Sequence, residues 1–242
     1  MIGRKEEKMR ETTSGATCCL TNCTCTGAET ANDSEAVVNL EEAQTVTDSL
    51  RKTLAVKIPE HLINPNLAKN GEKFSLAEVF KVLKRLSMQQ GWQADYDYYF
   101  NELDGYPVVY ARNTNGRHGK LLQHVKSDNT ADGYFQLALL ALMHDKFYLW
   151  WHAGYNKVTP IVAAGDMKTL PNEVVTKVKP LDLVPTVAKK PDGEVVVSIC
   201  VFSEWDGVSK VPIHMKATFP HNPRPEMDGA EVLAPYDSGI CY

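Results

Sequence analysis

The clearest pattern in the chain is a run that is apolar almost all round, Tyr134-Phe135-Gln136-Leu137-Ala138-Leu139-Leu140-Ala141-Leu142-Met143. It predicts a helix over Gly133–His144, capped by Asp132 and buried against a sheet. A second helix is predicted over 76–90. Leu76, Val79, Phe80, Leu83 and Leu86 form one stripe, Ser75 and Glu78 stand at capping-box spacing, and Phe74 with Val79 occupies the staple positions. Gly91 is read as its stop. Strict alternation then follows, with Trp92, Ala94, Tyr96, Tyr98 and Phe100 on one side and Gln93, Asp95 and Asp97 on the other. That is the period of a strand with one buried face. The turn pairs Asp104-Gly105 and Asn115-Gly116 divide it from strands at Tyr106–Arg112 and near Lys120–Val125, which makes a three-strand meander.

Phe147–His152 and Lys157–Ala163 read as further strands. Beyond them the chain is proline-rich, which argues against long helices. Pro191-Asp192-Gly193 turns into a Val/Ile-rich strand at Glu194–Phe202, and Asp206-Gly207 turns into Lys210–Thr218. Residues 220–230 read as an extended loop, with a short final strand at Val232–Ala234. The fold class is α+β: antiparallel meanders packed on two main helices, with a β-rich C-terminal third. In element order over about 74–163 the chain is similar to the type III secretion chaperone-like fold. The likeness is one of order, and no motif accompanies it.

Composition changes the picture at the N-terminus. Every Phe, Trp and Tyr lies from Phe74 onward, and residues 12–50 carry Glu29, Asp33, Glu35, Glu41, Glu42 and Asp48 but no Lys or Arg. A one-signed segment without large apolar anchors cannot offset its ordering entropy, so 1–33 is read as a disordered Cys/Thr-rich tail. Residues 34–53 are read as an acidic amphipathic helix or linker laid loosely on the domain. Leu40, Ala43, Leu50 and Leu54 form its stripe, interrupted at Thr47, and Asp33 or Ser34 is its cap. A single α+β domain then spans 54–242, divisible into 54–163 and 164–242.

The balance of 26 Lys+Arg against 30 Asp+Glu supplies no broad basic field for nucleic acid. No apolar run reaches the ~18 residues of a membrane span. The charged start, Met1-Ile2-Gly3-Arg4-Lys5, lacks a signal-type apolar stretch, so a cytoplasmic location is expected.

Candidate chemistry is sparse. Cys18, Cys19, Cys23 and Cys25 put four thiols within eight residues and could enclose a soft metal tetrahedrally. Their spacing is not that of a zinc ribbon, and the competing reading is a tail of reduced thiols. Cys200 alternates with Phe202 and reads as a small buried hydrophobe. His144 and Asp145 at a helix end could meet His152 at a strand end, with Asp206 or His214 joining them as acid, base or ligand. The bland alternative is that His144 complements the helix C-terminus and His152 satisfies a hydrogen bond. Trp150 and Trp151 point to opposite faces of a strand and cannot form one platform. Asp95, Asp97, Glu102 and Asp104 are read as a solvated polar face. No phosphate loop, dinucleotide fingerprint or nucleophile elbow occurs, so no cofactor is expected. The favoured expectation is a non-enzymatic protein-interaction or accessory module, with a protein partner or self-association. The alternatives are an enzyme assembled around His144, Asp145 and His152, and a metal- or redox-responsive protein acting through the N-terminal cysteines.

Overall fold

The computed structural model describes residues 34–54, 73–74, 77–97, 108–143, 158–179, 181–237 and 239. A compact unit runs from Asn32 to Tyr242 and is α+β with antiparallel sheets. Its centre is a hairpin of two ten-residue strands, β10 (Glu194–Ser203) and β11 (Gly207–Lys216), paired along their full length from Glu194↔Lys216 to Ser203↔Gly207. Each outer edge of this hairpin is shared by two short strands. Along β10, β9 (Thr186–Lys189) pairs with Val195–Ser198 and β8 (Thr159–Ile161) with Cys200–Phe202. Along β11, β12 (Arg224–Pro225) pairs at Ile213 and His214, and β13 (Glu231–Ala234) pairs at Val208–Lys210. Strand β1 (Ser34–Val37) closes the order beyond β9, giving seven strands. The expected C-terminal strands are all present, and the turns at Gly193 and Gly207 fall where the sequence placed them. At Gly207, with φ +80°, an added Cβ would run into the backbone carbonyl of Ala234, so no other residue fits.

The two main helices are α1 (Leu40–Leu54) and α3 (Ala131–Met143). Every residue of α3 from Gly133 to Met143 is buried, as its all-round apolar sequence requires. It packs with Val195, Val197, Ile199 and Val201 of β10 and Val211, Ile213 and Met215 of β11 in one core. Each fully buried Leu there contributes roughly 1.5–3 kcal/mol. A second core on the opposite sheet face joins Cys200, Phe202 and Val208 to Val174 and Val178 of the short α4 (Asn172–Val178).

Several expectations are corrected. The predicted 76–90 helix is only one and a half turns, α2 (Ala77–Val82), and Leu86–Met88 is instead β3, paired with β7 (Val125–Ser127). Tertiary bonds take the backbone there: Arg85 N–H donates to Gln136 Oε1 at 2.9 Å, and Arg85 C=O accepts from Asp128 N–H at 3.1 Å. Gly91, with φ +79°, turns β3 into β4 (Trp92–Asp97) rather than ending a helix. The meander is a four-stranded sheet in the order β2 (Lys73–Phe74), β4, β5 (Val108–Asn113), β6 (His118–Lys120), and its last strand gives way to a 3-10 turn at Leu121–Gln123.

The segment read as a loose acidic helix is part of the core, and the unit starts well before residue 54. Ala43, Val46, Thr47 and Leu50 are buried, and Thr47 fills the gap in the stripe by donating its hydroxyl proton to Ala43 C=O at 2.7 Å. Its cap is Asn39, whose Oδ1 accepts Glu42 N–H, while Ser34 lies in β1.

The cap of α3 is likewise Thr130 and not Asp132. Thr130 Oγ1 accepts Gly133 N–H at 3.0 Å, and Asp128 Oδ1 in turn accepts both the Thr130 N–H and its hydroxyl. Thr130→Ala is expected to cost about 1 kcal/mol in urea denaturation, and Thr130→Ser to restore most of it. Among the described residues no helix is long and apolar enough to cross a membrane.

Candidate functional site

The sequence-predicted centres Cys18, Cys19, Cys23 and Cys25, and His144, Asp145 and His152, lie outside the described residues, as do Trp150, Trp151 and Cys241. Asp206 and His214 are described and do not converge. Asp206 sits in the β10–β11 turn and accepts the Ser203 hydroxyl proton, while His214 lies near the far end of β11, about 25 Å along the strand. Cys200 is a free, buried thiol, and burial pushes its pKa up to about 11, which suits packing and not nucleophilic attack. Asp95 and Asp97 lie on β4, and Glu102 and Asp104 lie outside the described residues.

His124 and His221 are held in structural contacts. His124 stacks on Trp92 with centroids 3.5 Å apart, its Nδ1 is 2.8 Å from Gln89 Oε1, and burial lowers its pKa. His221 is buried and bridges two strands, with Nε2 accepting Ser127 N–H and Nδ1 donating to Lys216 C=O. Among the described residues no group of three or more His, Cys, Asp or Glu side chains is placed to hold a metal.

A different constellation stands out. A groove of about 780 Å³ runs between α1 and the α2–β3 segment, and its lining includes Glu41, Glu42, Val46, Val82, Lys84 and Arg85. Successive turns of α1 bring Glu42, Thr45, Val46 and Ser49 to this one side, as 3.6-residue periodicity dictates. Arg85 closes one end. Its Nε and Nη2 donate to the two oxygens of Glu42 at 2.8 and 2.7 Å, its Nη1 reaches Asp128 at 3.3 Å, and Asp132 lies 3.6 Å away. Gln136, a buried amide within the largely apolar run of α3, fastens this cluster to the core. Its Oε1 takes the Arg85 N–H, and its Nε2 donates to Glu42 at 3.2 Å. Asp132 Oδ1 also accepts the backbone N–H of Asn39, which ties the starts of α1 and α3 together.

The electrostatics follow from these contacts. Hydrogen bonding to Arg85 holds the Glu42 carboxyl below the usual carboxylate range. Burial pushes Asp128 up, but the Thr130 hydroxyl and N–H and the Arg85 guanidinium outweigh it and leave Asp128 lowered. The Arg85 guanidinium is correspondingly raised, first by Glu42 and then by Asp128. Carboxylates held this way are weak general bases, and a guanidinium already engaged by several carboxylates has little left for an anionic ligand. What the groove can do is present a fixed surface with an apolar floor at Val46 and Val82 and exposed charges of opposite sign at Glu41 and Lys84.

Sequence reasoning missed Arg85 because its partners come from residues 42, 128, 132 and 136. The one available signal was Gln136, a polar residue inside an apolar run. Comparison with protein families, curated proteins and solved structures found no match, and the element order behind the expected likeness to the type III secretion chaperone-like fold is itself altered at 76–90.

Proposed function

We propose that the protein is a non-enzymatic interaction module and that the groove between α1 and α2 is where it docks a partner protein. The observation that carries this reading is the groove itself: an apolar floor between walls of opposite charge, with one end locked by the Arg85 ion-pair cluster. A locked wall lowers the ordering cost of association. Immediately before the groove-lining stretch of α1, Val37 and Leu40 are 88% and 43% exposed, the kind of apolar surface that a partner covers. Self-association belongs to the same reading, since a surface carrying both charges can complement a second copy. So does a cytoplasmic setting, in keeping with a free thiol at Cys200.

The test is a photo-reactive amino acid at Thr45, on the groove wall, in the full-length protein. A discrete cross-linked product is expected, either with a second copy or with one other protein. The same probe at Asp192, in the β9–β10 turn, should yield none. Absence of a Thr45-dependent product, or equal products from both positions, overturns the reading.

A further inference from the structure

Away from the groove, His214 projects from β11 on the sheet face opposite α3, in register with Val196 of β10 and Arg224 of β12. Its ring is held at both ends by carboxylates: Nδ1 lies 3.0 Å from Glu194 Oε1, and Nε2 lies 3.0 Å from Glu226 Oε2. Glu194 is also held by Lys190 at 2.5 Å. The charged groups around the ring are therefore Lys190 from the β9–β10 turn, Glu194 from β10, Lys216 on the same side of β11, Arg224 from β12 and Glu226 just beyond it. Glu226 begins a turn in which Ala230 N–H donates to Met227 C=O, and its own N–H donates to Pro212 C=O at 2.9 Å.

We propose that His214 is a pH-sensitive latch that fastens the Glu226–Ala230 turn to the edge of the seven-stranded sheet. A protonated imidazole has two N–H donors and serves both carboxylates, whereas a neutral ring has one and presents a lone pair to the other oxygen. Glu194 keeps Lys190 when the ring loses its proton. Glu226, whose side chain is 56% exposed against 29% for Glu194, is the partner that leaves. The Glu194 carboxyl is held below its ordinary range first by Lys190 and then by His214, so it remains an acceptor throughout. Deprotonation thus undoes one contact and leaves the β10–β11 pairing in place.

The test is amide exchange of the peptide covering Glu226–Ala230 in the full-length protein, corrected for intrinsic exchange, at pH of about 5.5 and about 8. Protection is expected to fall about threefold at the higher pH, the size of effect an exposed ion pair supplies. His214→Gln, on the solvent side of the sheet, should abolish the pH dependence, and Glu226→Ala should give low protection at both pH values. Unchanged protection in the wild type, or the same pH response in His214→Gln, overturns the proposal.

Discussion

Asp166→Ala is expected to destabilise the protein by about 3–5 kcal/mol, read from the shift in its urea midpoint, because removing one member of a buried charged cluster strands the others. The carboxylate side chain is 3% exposed. Its Oδ2 accepts the backbone N–H groups of Val162 and Ala163 at 2.8 and 3.0 Å, and its Oδ1 pairs with Arg51 Nη1 at 2.5 Å. Arg51 also donates to Pro160 C=O and to Asp48, so this one contact joins α1 to β8 and the turn after it. Alanine leaves two inward N–H groups without an acceptor and the guanidinium without its buried counter-charge. The Nε of Arg51, buried without a partner among the described residues, makes the guanidinium more dependent on what remains. Adding Arg51→Met to Asp166→Ala should cost less than the sum of the two single changes, since the pair acts as a unit. A loss below about 1 kcal/mol for Asp166→Ala would show that water takes over these bonds.

Arg85→Ala is the second large effect, about 2–3 kcal/mol near neutral pH, trimmed by solvent because a third of the side chain is exposed. It leaves Glu42, Asp128 and Asp132 without the guanidinium they share, and Lys84 acts on Glu42 only through space. The pH dependence has a definite sign. Glu42 and Asp128 are lowered in the folded state, so the stability they contribute is fully present above their unfolded values, about 4.3 and 3.9. It is lost as pH falls through the folded values. Without Arg85 that contribution is smaller, and the gap between wild type and variant should narrow as the pH is taken from about 7 toward about 3. Urea titrations at several pH values measure the gap directly. A gap independent of pH would mean that Arg85 acts through its packing alone.

What could be read in advance depended on how far along the chain the cause of each feature lay. The interior of α3 was legible because its apolar residues leave no polar face to expose, and the β10–β11 hairpin because Asp206-Gly207 links two alternating runs. The 76–90 segment misled because Leu83 and Leu86 are both buried, as a helical stripe would have them, yet the second is buried from a strand. The distinction lies in Gln136 and in Val125–Ser127, some 40–50 residues away, which compete for the same backbone groups. The caps show the same effect over shorter range: Asn39 and Thr130 displaced the more obvious acidic candidates because their neighbours Glu42 and Asp128 complete the local hydrogen bonding. The groove was invisible for the strongest form of this reason, since Arg85 lies 43 residues from Glu42 on one side and 43 from Asp128 on the other.

The all-round burial of α3 also bears on how the protein is made. About 50 residues separate Met143 from Glu194, the first residue of the strand that covers the helix. At about 5–20 residues per second, the helix leaves the ribosome roughly 3–10 s before the β10–β11 hairpin follows it. During that interval Leu137, Leu139, Leu140 and Met143 lack the β10–β11 side of their core, with α1 and the β3–β7 pair as the packing partners already made. Newly made chains are then most open to chaperone capture and to clumping with one another, and slowing translation after residue 143 lengthens the exposure.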